Sequence, residues 1–324
     1  MPGTEPHNKT ERKAGIKRYF STIHPNNLQV HTNQGKAFLA LAALSLLWGT
    51  TWIASKEGVR HMPALELVAV RQLIAGACYL LFFIVKGAAL PRWKEMGPLL
   101  ILAFLNFICS NGLSTWGVKY ISAGLGSIIG AIFPLWLVVI GLFSSKQKTP
   151  RKAIRGFLLG FAGVCIIFYD HLIDFLNPDF RFGILISLIA TWTWALGSLY
   201  TKKQVAQFNP YFGIGFQMFI SGAVLLGFTA TSDTFIPIQN IPFQSWMAIL
   251  YLVILGSIAA FACFLYAIQH LSTEQVSIYA YINPVVAVLV GSLFFQEQLS
   301  PILLTGGAVT LYGVYIVNKA YRKK

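Results

Sequence analysis

Residues 122–166 read SAGLGSIIGAIFPLWLVVIGLFSSKQKTPRKAIRGFLLGFAGVCI, and residues 272–316 read STEQVSIYAYINPVVAVLVGSLFFQEQLSPILLTGGAVTLYGVYI. At a constant offset of 150 residues, Ser122, Ser127, Ile128, Ile132, Pro134, Val138, Gly141, Gly156, Gly163, Val164 and Ile166 fall on identical residues, with no gap over the forty-five positions. Each copy is an apolar span with a proline at its middle, a short polar link holding Thr149-Pro150 or Ser300-Pro301, and a second apolar span containing glycine. A repeat of this length decides the architecture before any single motif is weighed.

The repeat lies in a chain built for lipid. Of its 324 residues 56% are hydrophobic and only 11% charged, with a mean hydropathy of +0.63; soluble domains carry roughly a quarter charged residues. Ten apolar runs follow one another, at 37–55, 63–85, 98–116, 122–143, 156–169, 182–200, 211–230, 246–266, 273–295 and 302–317. A helix needs ~20 residues to cross the hydrocarbon, so the fold class is an all-α polytopic membrane protein with ten transmembrane helices. The fifth run, 14 residues long, spans only if Lys152 and Arg155 snorkel toward the headgroups.

The duplication reaches back to the first run when the offset becomes 146: Trp48 then meets Trp194, Lys56 meets Lys202, Gly76 meets Gly222, and Leu80 meets Leu226. The organisation is a polar tail (1–36), a first five-helix repeat (37–169), a second (182–317) and a basic tail (318–324). Because five is odd, the second copy crosses the membrane in the opposite sense, the inverted arrangement of secondary transporters with a solute site between the halves. Twenty of the 25 lysines and arginines lie in the tails and in the links after runs 2, 4 and 6. Lys56, Arg60, Lys119 and Arg181 lie in the opposite links. The positive-inside rule therefore places both termini in the cytoplasm. The net charge of +14 is a topology signal of these short links, which excludes a nucleic-acid partner.

Cys78, Cys109, Cys165 and Cys263 sit singly in apolar runs and read as small hydrophobes. The six histidines lie in the tail or near span ends, so no metal cluster or nucleophile-base pair is expected, and no Gly-rich phosphate loop is present. No cofactor is implied, and the chain is not expected to be an enzyme.

The candidate site residues are those that lipid tolerates poorly. Arg71 lies deep in the second run, where an unpaired charge costs ~2.5–3.5 kcal/mol or more; it either holds an anionic group of the solute or ties the helix to neighbouring carbonyls. Asn111 needs a hydrogen-bond partner across helices or in a wet cavity. Trp48, Trp52, Trp194, Tyr279, Tyr281 and Asn283 offer aromatic or polar surface to such a cavity, and Glu66 is the candidate titrating group. Glu66, Arg71 and Glu274 are the charged residues assigned to spans, none of the carboxylates being central. That favours neutral or zwitterionic solutes over cationic ones. Pro134 and Pro284 each remove a mid-helix donor and should kink the fourth and ninth helices as a pair of gates. Gly126-x-x-x-Gly130 and Gly156-x-x-x-Gly160 read as packing motifs.

Several of these stretches together resemble the EamA family of the drug/metabolite transporter superfamily: Leu47-Trp48-Gly49-Thr50-Thr51-Trp52 with Lys56, Val70-Arg71-Gln72-Leu73-Ile74-Ala75, Tyr120-Ile121-Ser122-Ala123-Gly124, Trp194-Ala195-Leu196-Gly197, and Asn283-Pro284-Val285 with Glu297. The resemblance covers residues 37–317 and implies alternating access around a central cavity, with export of amino acids or related small metabolites, or of drugs and nucleobases. It implies a multi-pass protein of the plasma or inner membrane, monomeric or homodimeric. The partners are a small-molecule solute and the bilayer, with a proton or an exchanged counter-solute supplying energy. Asn283 stands where the family often has an acidic residue, and Gln147 is the counterpart of Glu297 in the first half.

Overall fold

A computed structural model describes residues 29–87, 93–144, 150–204, 210–271, 273–276, 278–297 and 299–321. Most of the amino-terminal tail, Gln147 and the last three residues lie outside the described residues, as does the side chain of Glu274. The rest is nearly all helical.

Prolines mark many of the helix starts, where a missing N–H costs nothing. α1 is Gln29–His61 and α2 is Ala64–Val85, preceded by Pro63. α3 runs through three consecutive segments, Trp93–Leu102, Ala103–Gly112 and Leu113–Gly117, of which the middle one is a π-helix. α4 is split into Ala123–Ala131 and Phe133–Ser144. α5 is Arg151–Asp170 after Pro150, α6 is Pro178–Gln204 and α7 is Pro210–Thr229. α8 again has three segments, Phe243–Tyr251 after Pro242, a π-helix Leu252–Ala259, and Ala260–His270. A short helix Thr273–Val276 precedes α9, Tyr279–Phe295, and α10 is Pro301–Tyr321. Nine spans are long and apolar enough to cross a membrane among the described residues, and α9 is a shorter apolar helix.

The fifth helix reaches a spanning length through its flanks, as the short apolar run requires: α5 has 20 residues because it opens on Arg151-Lys152 and includes Arg155, charges that an apolar count leaves out. α1 likewise continues past residue 55, so Lys56 belongs to a span rather than to an outer link.

The equivalent helices α2 and α7, and likewise α5 and α10, pack on each other and run antiparallel. A Cβ on Gly156 would meet Val317 N at 2.7 Å, and one on Gly163 would meet Thr310 N at 2.4 Å, so rising numbers in α5 face falling numbers in α10. A Cβ on Gly76 would meet Phe219 N at 2.4 Å and one on Gly222 would meet Leu73 N at 2.6 Å, which sets α2 against α7 in the same sense. Such backbone-to-backbone approach is open only to residues without a side chain. α4 packs on α9; α1 lies on α8 and α9, and α6 on α3 and α4, so the pattern of neighbours repeats from half to half. Large apolar side chains such as Leu39, Leu81, Leu293 and Phe294 point outward, an arrangement lipid favours and water does not.

The two proline-bearing helices differ in continuity. α4 is interrupted at Ile132, two residues before Pro134, and the Ile129 carbonyl, which takes the Ile132 N–H at 3.3 Å, also accepts from Thr191 Oγ1 of α6 at 3.1 Å. α9 instead passes through Pro284 without interruption. There the change in the chain comes earlier, between Val276 and Tyr279.

Candidate functional site

Between the halves lies a cavity of about 190 Å³, smaller than the ~300–1,000 Å³ of drug-sized pockets. Its walls come from α1, α2, α3, α4, α6, α8 and α9. Trp48, Trp52, Arg71, Asn111, Trp194, Tyr279 and Asn283, all read from the sequence as candidates, line it together. Tyr281 does not: its hydroxyl accepts from Asn318 Nδ2 of α10 at 2.5 Å, on the far side of α9. Glu66 does not either. It is 1% exposed, its Oε2 accepts from Ile236 N at 3.1 Å, and it borders a separate apolar hollow beside the α7–α8 link.

One end of the cavity is a cage of rings. Trp48 meets Phe261 and Tyr279 edge to face, with centroids 5.1 Å apart in each pair. Trp52 lies along α4, where Cβ atoms on Gly126 and Gly130 would each sit 2.9 Å from the nearest atom; for Gly130 that atom belongs to the Trp52 ring, and for Gly126 ring atoms begin at 3.1 Å. The GxxxG spacing in α4 therefore makes a slot for an aromatic ring rather than a helix-helix seam.

One π-helical segment, in α3, supplies Asn106, Ser110 and Asn111 to the cavity wall, and the other, in α8, backs Arg71 through Ser257. They occur at equivalent places once the 150-residue offset is applied, and they loosen the ordinary hydrogen-bond ladder, a feature found often at functional sites. In α8 the segment is held by donors from the other half: Trp48 Nε1 donates to Gly256 O at 3.2 Å, Tyr79 Oη to Ile258 O at 3.0 Å, and Arg71 Nε to Ser257 Oγ at 3.0 Å. In α3 the corresponding donor is Gln72 Nε2, 3.2 Å from Phe107 O and 3.1 Å from Asn111 Oδ1, while Gln72 Oε1 accepts from Ser221 Oγ at 2.5 Å. A buried amide satisfied on both sides fixes α2, α3 and α7 relative to each other. Asn283, with its amide nitrogen donating to Ser45 O at 2.8 Å and Tyr279 O at 3.0 Å, ties α9 to α1.

Arg71 is 6% exposed and is the one charged residue on the cavity wall among the described residues. No ion pair involves it; those present among the described residues join Glu57 to Arg60 and His61, and His171 to Asp174. The 146-residue offset sets it opposite the neutral, buried Gln217, so the charge belongs to one half only.

Above the cavity, at the end carrying the α1–α2 and α3–α4 links, a second polar group closes the helices together. Lys56 Nζ donates to Val118 O and Ile121 O, both at 2.7 Å. Glu297 Oε1 and Oε2 accept from Ala123 N at 2.8 Å and Gly124 N at 3.2 Å, at the start of α4. Gln296 adopts a left-handed backbone (φ 53°) at the end of α9, and that turn directs Glu297 back to α4. A carboxylate on free N–H groups at the positive end of a helix is favourable on both counts. Sequence reasoning missed Gln72 and the latching role of Lys56 and Glu297; the signal available for Gln72 was a second polar residue directly after Arg71 in an apolar run.

Comparison with known proteins agrees with this architecture. The uncharacterized inner membrane transporter YedA of Escherichia coli (strain K12) is 30% identical over 284 residues, covering 87% of this chain and 90% of the relative. The uncharacterized transporter YvbV of Bacillus subtilis (strain 168) is 31% identical over 291 residues, 86% of this chain and 90% of its own. A crystal structure at 18% identity covers 90% of this chain and 99% of its own with a TM-score of 0.63, which shows the shared fold. The sequence profile of the EamA-like transporter family matches twice, over residues 35–169 and again over 181–319, and the chain belongs to that family.

Proposed function

We propose that the protein is a secondary transporter working by alternating access, which exports small polar metabolites, amino acids and related compounds foremost, from a cell whose plasma or inner membrane holds both of its termini on the cytoplasmic side. The observation that carries this reading is the cavity between antiparallel halves, where rings from Trp48, Trp52 and Trp194 stand beside amides, hydroxyls and Arg71. Such a wall binds a molecule with an apolar body and a few polar groups. The interruption of α4 at Ile132 and the start of α9 at Tyr279 supply places where segments can swing, as gates in transporters do. Energy comes from a gradient or from exchange for a counter-solute.

The ring cage also favours a second reading, in which planar organic solutes such as nucleobases or drugs are the cargo. Counterflow in proteoliposomes loaded with amino acids, nucleosides or cationic dyes separates the two. Exchange of labelled amino acids alone supports the first reading, exchange of nucleosides or dyes alone the second, and exchange of no solute refutes transport of either kind.

A further inference from the structure

We infer that Arg71 is the anion subsite of the cavity and that the transported solute carries a carboxylate. The inference rests on the transport reading above and names the chemistry of the cargo.

Arg71 is buried, and Nε donates to Ser257 Oγ at 3.0 Å. No other hydrogen bond of its guanidinium is made among the described residues, and none of the residues lining the cavity there is Asp or Glu. A guanidinium keeps its charge even when buried, so this wall holds a positive charge that none of the described residues neutralises. Uncompensated charge in a low-dielectric site is costly, and it is relieved by an opposite charge with hydrogen bonds. A carboxylate matches the planar fork of the guanidinium with two parallel bonds.

The neighbours are arranged to add donors. Asn111 Oδ1 accepts from Gln72 Nε2, which leaves the Asn111 NH₂ for the cavity that Asn111 lines. The bond to Ser257 holds the guanidinium against the π segment of α8, where Gly256 presents no side chain: a Cβ there would stand 3.2 Å from Arg71 Nη2. A purely structural arginine would use its terminal nitrogens on carbonyls, yet the carbonyls of this segment at Gly256 and Ile258 take their hydrogen bonds from Trp48 and Tyr79. Other side chains satisfy those carbonyls, and the terminal nitrogens of the arginine are left for the cavity.

The test melts the purified full chain in chloride-free detergent buffer with matched acids and amides: benzoate and benzamide, L-phenylalanine and L-phenylalaninamide, L-threonine and L-threoninamide. Hydrogen bonds to a charged group contribute ~1.5–3 kcal/mol, which converts to a preference of about 10-fold to 150-fold at 1.4 kcal/mol per tenfold. At least one acid is expected to raise the melting temperature and to bind at least about 10-fold more tightly than its amide. Arg71→Gln is expected to abolish that preference, Arg71→Lys to retain part of it, and Ser257→Ala to narrow it. If Arg71→Gln does not fold, the acid-to-amide ratio of the wild type and its narrowing in Ser257→Ala decide the matter. Equal binding of acids and amides, no binding of any acid, or a preference that survives Arg71→Gln overturns the inference. Counterflow with the same pairs keeps the two readings apart. Amides exchanged as fast as acids remove the carboxylate subsite and leave transport standing, whereas acid-selective binding without exchange of any solute removes transport and leaves the subsite.

Discussion

Replacing Glu297 with alanine removes both acceptors from the first turn of α4. Two N–H groups, of Ala123 and Gly124, lose partners at 2.8 and 3.2 Å, and Lys56 loses the nearby negative charge that favours its own bonds to the α3–α4 link. Charge-assisted bonds contribute ~1.5–3 kcal/mol each and a carboxylate at a helix start a further ~0.3–1. Glu297 is only partly buried, so water recovers much of this, and a net loss of about 2 kcal/mol is expected, roughly 30-fold in the unfolding equilibrium. Glu297→Gln keeps one acceptor and should cost about half as much. The assay is reversible unfolding in mixed detergent micelles of the wild type, Glu297→Ala, Lys56→Met and the double variant. The single changes should be non-additive by ~0.5 kcal/mol or more, because both act on the same link. An alanine variant within about 0.5 kcal/mol of the wild type, or strict additivity in the cycle, refutes the idea that these two side chains latch α1, α4 and α9 together.

Gly313→Ala puts a Cβ 2.2 Å from Gly160 N, a backbone atom that has no room to move, and should destabilise by ~1–3 kcal/mol in the same assay. Gly227→Ala meets nothing within 4 Å and should be neutral or stabilising by up to ~1 kcal/mol. Glu66→Gln should leave the pH profile of counterflow unchanged, since the carboxylate is bonded to Ile236 N and does not reach the cavity; a shifted profile would return it to the transport path. Tyr281→Phe loses the bond from Asn318 and about 1 kcal/mol of stability with no change in solute selectivity, read by unfolding and by counterflow competition. Cysteines introduced at Asp174 and at Lys319 of a background lacking Cys78, Cys109, Cys165 and Cys263 should react with impermeant reagent from opposite faces of the membrane; labelling from the same face would break the inverted arrangement.

The halves and most of the ring cage were legible because duplication and depth are one-dimensional properties: Trp48 and Trp194 occupy matched places in their runs, and both line the cavity. What a linear reading cannot supply is the rotation of a side chain about its helix. Tyr279 and Tyr281 stand two residues apart in one polar cluster, yet 200° of turn sends the first to the cavity and the second to Asn318. Glu66 is the candidate titrating group because few charges compete with it in the spans, while its partner, the Ile236 amide, is 170 residues away. The wide turns in α3 and α8 left no trace, because a π segment differs from an α segment in the ladder of bonds and not in composition.

Those wide turns set how the protein can be re-tuned. Within residues 103–112 or 252–259 one amino acid is accommodated without lengthening the span by a full step. Dropping a residue from either segment would let it close to the common winding while the turns beyond it stay in register, because the wide turn is what takes up the extra residue. In α3 that would leave Ser114 and Thr115 on the cavity wall and respace only Asn106, Ser110 and Asn111, which line it from within the wide turn. A single-codon deletion there would thus reshape one patch of the solute chamber, whereas the same deletion in an ordinary helix would rotate everything after it by about 100°.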